Sequence, residues 1–102
     1  MTARAITVSF ELSKVDGYFL LYARFRDGEV HQTIEIGPDL SADVDREGRV
    51  LGVEVVKTFP LDSPKGGIRF DIHEVQREVE QRFNCRMDEE FQAIRDATQA
   101  VV

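Results

Sequence analysis

The residues whose types and spacing come nearest to a known chemistry are carboxylates between positions 43 and 54. A calcium loop places acidic side chains at its first, third, fifth and twelfth positions and a glycine at its sixth, so that the oxygens converge on one cation. This spacing is nearly matched by Asp43-Val44-Asp45-Arg46-Glu47-Gly48, with Glu54 six residues after the glycine. The candidate calcium ligands are therefore Asp43, Asp45, Glu47 and Glu54.

The flanking sequence favours an acidic hairpin in water instead. A calcium loop of this type joins two helices, whereas Gly37-Pro38 precedes the segment closely and Val50 to Val56 has the composition of a strand. Leu51 occupies the ninth loop position, where an oxygen ligand is usual. In a hairpin the carboxylates do not converge, so we predict no metal site here and keep calcium binding as the alternative.

The other candidate groups are two histidines and one cysteine. Neither His31 nor His73 has a second histidine or a cysteine at metal-ligand spacing, so both are expected to be surface or structural residues. Cys85 lies beside Arg82 and Arg86, cations that lower a thiol pKa, but a nucleophile also needs a positioned base. We expect a partly buried, inert thiol, no catalytic residue and no cofactor.

The length, charge and cysteine content of the chain limit the folds and the partners that it can have. The 102 residues suit one domain of the α+β class described below, and a single cysteine cannot form an internal disulfide, which favours the cytoplasm. A net charge of −6 argues against nucleic-acid binding, which needs clustered cations. Apolar runs are too short to cross a membrane, so we expect no membrane association.

Residues 5–56 show the period-two alternation of short strands joined by turns. The pair Asp27-Gly28 favours a tight hairpin, and the register that it sets places Phe25 opposite Val30 and Leu21 opposite Ile34. A second hairpin turns at residues 46–49 and puts Leu51, Val53 and Val55 opposite Val44, Ala42 and Leu40. Short connections of this kind predict an antiparallel meander of about five strands.

The rest of the chain is predicted to be a connecting loop, residues 57–70, and a helical segment, residues 71–102. The segment begins with the spacing of a capping box, Asp71 and Glu74, and its apolar residues recur about every 3.6 positions. One long amphipathic helix, unbroken or kinked, is the favoured interpretation. The alternative is a turn at Asn84-Cys85 followed by a second helix capped by Asp88.

An unbroken helix raises the question of what covers it. Thirty helical residues span about 45 Å, whereas five strands span only about 24 Å, so roughly half of the apolar stripe would extend beyond the sheet. A second copy of the chain would cover it. Tyr18, Leu20 and Tyr22 project from the other face of the sheet, where a few exposed apolar side chains are normal, and a further contact patch is the alternative interpretation. The interface candidates are Phe83, Met87, Phe91, Ile94, Val101, Tyr18, Leu20 and Tyr22.

Residues 6–56 resemble the bacterial family known as domain of unknown function 2283. The resemblance rests on Phe10-Glu11, on Asp16 before Tyr18-Phe19-Leu20, on the Asp-Gly turn, and above all on the segment from Val44 to Val55 with its acidic strand and glycine turn. Phe10 and Glu11 stand where the family usually has Tyr and Asp, and the region beyond Phe59 is longer than expected. The resemblance implies a small sheet domain and supplies no catalytic residue.

The leading functional hypothesis is a cytoplasmic, non-enzymatic protein-interaction module that self-associates as a homodimer through its C-terminal helix, with a further, unidentified protein partner also open. The alternative is a small-ligand or metal-binding domain, or a minor enzyme, that uses the acidic hairpin from Asp43 to Glu54. A third hypothesis, a toxin-neutralising partner, is suggested by the small size and acidity of the chain.

Overall fold

The computed structural model describes residues 6–13, 15–58 and 71–101, which form one antiparallel sheet and two helices. The α+β class and the number of strands are as predicted, and residues 59–70 of the expected connecting loop lie outside the described residues. The elements are β1 Thr7–Ser13, β2 Tyr18–Arg24, β3 Gln32–Glu35, β4 Leu40–Val44, β5 Val50–Thr58, α1 Ile72–Phe83 and α2 Asp88–Val101.

The strands lie in the order β1-β2-β5-β4-β3, so the sheet consists of a hairpin and a three-strand meander that meet where β2 pairs with β5. Between β1 and β2 the Gly17 N–H donates to the Ser13 carbonyl, which brings the two strands of this hairpin together. Strands β3 to β5 turn back on one another in sequence. The outer strands are β1 and β3.

The predicted hairpin at Asp27-Gly28 is wrong, because β2 pairs with β5 and not with β3. Leu21 and Ala23 lie opposite Val55 and Val53, and all four side chains are almost fully buried. In the predicted register β3 would place the polar Gln32 opposite Ala23, whereas β5 places Val53 there. Apolar burial at the centre of the sheet therefore overrides the local turn signal.

The second predicted hairpin is largely confirmed. Leu40 lies opposite Val55 and Ala42 opposite Val53, as the alternation indicated. A bulge between Asp43 and Val44 then shifts the register, so that Val44 lies opposite Val50 and not opposite Leu51. Val50 joins the core in consequence, while Leu51 is buried beneath Gly28, where an added Cβ would lie 2.9 Å from Leu51 Cδ2.

The C-terminal segment is two helices, so the favoured prediction of one long helix is wrong and the alternative break is confirmed. Helix α1 is capped as predicted by Asp71, whose carboxylate accepts from the His73 and Glu74 N–H groups. It ends at Asn84, which adopts the left-handed conformation common after a helix (φ 52°, ψ 50°). Helix α2 begins at Asp88, which is its first residue rather than the predicted cap.

A carboxylate of α1 fixes the corner between the helices. Glu80 Oε2 accepts from the Met87 N–H at 2.8 Å, just before α2 begins, and from Gln76 Nε2 at 3.2 Å. The other amide atom of Gln76 accepts from Arg95 Nη1 at 2.9 Å, which links α1 to α2. Each helix is now about 20 Å long and fits across the sheet, which removes the overhang expected for a single helix.

The core lies between one face of the sheet and the two helices. Val75 and Val79 of α1 and Phe91 and Ile94 of α2 pack against it, and the Phe91 and Phe25 rings lie 5.9 Å apart. We call the opposite side, which carries Tyr22, Asp43 and Glu54, the open face. In the described part of the chain, neither helix has the length and apolar character needed to cross a membrane.

Candidate functional site

A polar network crosses the open face from β2 to β3. The Tyr22 hydroxyl donates to Asp43 Oδ2 at 3.2 Å, and the Thr33 hydroxyl donates to Asp43 Oδ1 at 2.6 Å. Tyr22 is on β2, Asp43 on β4 and Thr33 on β3, so the tyrosine must reach across β5. Both Asp43 oxygens therefore have donors from the protein itself.

Gly52 is the residue of β5 over which Tyr22 reaches. It is buried, it lies opposite Arg24 on β2 and Asp43 on β4, and a Cβ added there would lie 3.3 Å from the Tyr22 hydroxyl and 2.6 Å from the Ala23 carbonyl oxygen. Sequence reasoning missed this role, although a signal was present, because a glycine within an alternating strand often marks a close approach of another chain segment. The absence of a side chain lets the network form.

The acidic turn at residues 45–49 is organised around Asp45, which is only 8% exposed. The N–H groups of Glu47 and Arg49 each donate to Asp45 Oδ1 at 2.9 Å, and Arg49 Nε donates to Oδ2 at 2.8 Å. Burial alone would raise the pKa of Asp45, but the hydrogen bonds and the charge from Arg49, with the Glu47 N–H, hold that pKa below its ordinary value. This carboxylate therefore stabilises the turn.

The four calcium candidates do not converge. Asp43 is bonded to Tyr22 and Thr33, while Asp45 and Glu47 are both paired with Arg49, the latter at 2.8 Å. Glu54 lies on the open face between Tyr22 and Ser41 of the neighbouring strands. Within the described residues, no three side chains of His, Cys, Asp or Glu are grouped so that they could hold a metal ion.

Three of the predicted interface residues are in the core of a single chain. Met87, Phe91 and Ile94 are at most 2% exposed, because the break at Asn84 folds α2 back over the sheet. They are therefore not available to a partner, contrary to the expectation of an overhanging stripe. Phe83 is half-buried against the core, and the side chain of Val101 lies outside the description.

The other three interface candidates, Tyr18, Leu20 and Tyr22, lie half-buried on the open face. Tyr18 donates a hydrogen bond to Glu11 of β1, and this bond, with burial and the charges of Glu11 and Asp16, raises the pKa of Tyr18. Both tyrosines thus have their hydroxyls held while their rings stay partly accessible. Aromatic side chains of this kind are enriched where proteins meet.

The groups that could act as nucleophile or base are dispersed. Cys85 is exposed rather than partly buried as expected. Its pKa is raised, first by desolvation of the thiol and then by the charges of Glu80 and Glu90, while the charge of Arg26 acts in the opposite direction. His31 and His73 are exposed, and within the described part of the chain neither imidazole makes a hydrogen bond.

A depression of about 190 Å³ lies between the start of α1 and strands β4 and β5. Its floor is apolar, with Leu40, Val55 and Val75, and its rim carries acidic groups such as Glu74. The cation at this rim, Lys57, is paired with Asp39 at 3.3 Å. Because that pair neutralises itself, the charge that remains at the rim comes from acidic side chains such as Glu74.

Comparison with protein families gives a match over the middle of the chain. Residues 20–57 match the model of a family described as protein of unknown function (DUF2283), which confirms the resemblance noted in the sequence. The match runs from β2 to β5 and includes Tyr22, Thr33, Asp43 and Gly52, the residues of the polar network. It covers less than half of the chain and includes neither β1 nor the helices. No curated protein and no solved structure matches the chain significantly.

Proposed function

We propose that this chain is a cytoplasmic, non-catalytic protein-interaction module that forms a homodimer through its sheet. The observation that carries the proposal is that both described helices pack on the same face of the sheet. They pack on one face, so they leave uncovered the other face, where Tyr18, Leu20 and Tyr22 lie half-buried, and the edge of the outer strand β1, which has no strand beyond it among the described residues. The C-terminal helices, in contrast, bury Val75, Val79, Phe91 and Ile94 in the core of a single chain.

The internal pairing of the polar groups supports a non-catalytic role. The open-face carboxylate Asp43 is bonded to two hydroxyls, and Asp45 is tied to a turn. A general base must be free to take a proton from substrate, and a metal site needs several convergent ligands. These contacts favour an interaction surface over the alternative of a ligand-binding or catalytic acidic hairpin.

The cytoplasmic part of the proposal is supported by cysteine usage. The chain has one cysteine, Cys85, and its exposed thiol would be prone to mispairing in an oxidising compartment. A reducing compartment keeps such a thiol free. Localisation of a tagged chain in cell fractions tests this part separately.

Light scattering of the purified protein tests the dimer. We expect twice the chain mass of 11.6 kDa, and a monomer at high micromolar concentration would overturn the proposal. Gln81→Lys adds a charge to the exposed side of α1 and should leave the dimer mass unchanged. If this variant were monomeric, the helices rather than the sheet would form the interface.

A further inference from the structure

The two edges of the sheet differ in how well they are protected against pairing with another chain. Strand β3 is four residues long, and three of those residues are exposed and polar. Strand β1 has seven residues, pairs along its whole length with β2 on one side, and has no strand on its other side among the described residues. An unpaired row of backbone N–H and C=O groups is a template for a further strand.

Strand β1 lacks the features by which proteins usually block such an edge. Its sequence, TVSFELS, contains no proline and no lysine, and Glu11 is its one charged residue. The register of β1 with β2 runs from Thr7 to Ser13 without a bulge. Val8 and Phe10 are half-buried against the core, and the Phe10 and Phe19 rings lie 5.9 Å apart. The edge is therefore long, regular and partly apolar.

Resting on the proposed homodimer, we infer that β1 pairs with β1 of a second copy, antiparallel and centred on Phe10, to form one continuous sheet of ten strands. A pairing that keeps Val8 and Phe10 of both copies on the same face must match even positions with even positions. Centring on Phe10 does so and pairs all seven residues of each strand. A shift of one residue in the centre leaves two residues at an end of each strand unpaired.

The charges select the same register. With Phe10 at the two-fold axis, Glu11 lies opposite Ser9 of the second copy and Thr7 lies opposite Ser13, so no like charges meet. Centring on Glu11 would instead place two carboxylates directly opposite each other, which is unfavourable. Val8 and Phe10 of both copies also lie on the same side of the continuous sheet, and Phe10 lies opposite its own copy. Strand β1 is thus complementary to itself in one register.

A charge placed at Ser9 tests that register. Ser9→Glu puts a second carboxylate opposite Glu11 twice in each dimer, and we expect the dissociation constant to rise about tenfold. Thr7→Glu is the matched control, because it adds the same charge to the same exposed side of β1 but faces Ser13, so its dissociation constant should stay within about twofold. In the double variant Ser9→Glu/Glu11→Lys, opposite charges meet and the dimer should be restored.

Disulfide trapping in a Cys85→Ser background tests independently which residues of the two β1 strands lie opposite each other. Residues directly opposite on antiparallel strands have Cα atoms about 4.5–5.5 Å apart, within the range of a disulfide. Mixing Ser9→Cys with Glu11→Cys chains under oxidation should therefore give a crosslinked heterodimer faster than either variant alone. Circular dichroism of each variant checks that the monomer fold is retained.

The outcomes separate this inference from the proposed function. A wild-type protein that stays monomeric overturns both. A dimer that responds equally to Ser9→Glu and Thr7→Glu, or that crosslinks best through Glu11→Cys alone, overturns the β1 register while the homodimer stands. A selective response at Ser9 together with the mixed crosslink supports the continuous sheet.

Discussion

Replacing Gly52 with alanine tests the pairing of β2 with β5, on which both the core and the open-face network depend. The new Cβ would lie 2.6 Å from the Ala23 carbonyl oxygen, whereas real Cβ contacts stay above 3.0 Å. The obstructing atom belongs to the backbone of β2, so a side-chain rotation cannot relieve the contact. Gly52 has no positive φ, and the whole effect is therefore steric.

The magnitude follows from the displacement that this contact requires. The two strands must separate by at least 0.4 Å at their centre, where Ala23 and Val53 are fully buried. Overpacking of a core by one methyl group typically costs about 1–3 kcal/mol. For a domain of this size each kcal/mol lowers the melting temperature by about 4–8 °C, so we expect a fall of about 8–16 °C for a midrange cost of 2 kcal/mol.

Thermal and urea unfolding followed by circular dichroism measure the effect. Gly37→Ala is the matched control, because nothing lies within 4 Å of its added Cβ and its φ is not positive. We expect it to be neutral or to stabilise the fold by less than about 1 kcal/mol. If Gly52→Ala were as stable as Gly37→Ala, β2 would not approach β5 closely and the strand order given above would be refuted.

Three further predictions address the acidic turn and the helices. Because the pKa of Asp45 is lowered in the folded state, its contribution to stability is present above the ordinary value of 3.8 and is lost as the pH falls through the folded pKa. The difference in urea midpoint between the wild type and Asp45→Asn should therefore be full at pH 6 and shrink toward pH 2, and a constant difference would contradict the role of the charge. Millimolar calcium should leave the melting temperature unchanged, since the acidic side chains of the hairpin do not converge; a rise of several degrees would show a bound ion. Phe91→Ala should lower the free energy of unfolding by about 3–5 kcal/mol, as expected for a fully buried ring, whereas a stable variant that lost only its dimer would place Phe91 at an interface.

The features that sequence predicted correctly are those that depend on neighbours along the chain. The pairing of Leu40 with Val55 follows from a short turn and period-two alternation, and the Asp71 cap follows from its spacing to Glu74. The break at Asn84 was visible only as an alternative, because the apolar phase of the helix continues across it. What decides the break is the fit of two short helices over a sheet, together with the bond from Met87 N–H to Glu80.

The pairing of β2 could not be predicted from local signals. Asp27-Gly28 is a strong hairpin dipeptide, and the register that it sets looked apolar except at Gln32. Strand β5 pairs with β2 instead, because its Val53 and Val55 bury Ala23 and Leu21, whereas β3 would offer the polar Gln32 to Ala23. The hydrogen bond from Tyr22 to Asp43 depends on the pairing of β2 with β5, so the local sequence could not predict it either.

The junction of β2 and β5 has a consequence for how the molecule folds. Arg24 lies opposite Gly52 and Tyr18 opposite Thr58, so the paired residues are 28 and 40 positions apart in the chain. The hairpin of β1 and β2 and the meander of β3 to β5 close through short turns, whereas the junction must close a long loop before any contact repays the lost chain entropy. We therefore expect the contacts between β2 and β5 to be formed in the transition state for folding. Substitutions at Ala23 or Val53 should then slow refolding, whereas substitutions in the turn at residues 45–49 should mainly speed unfolding.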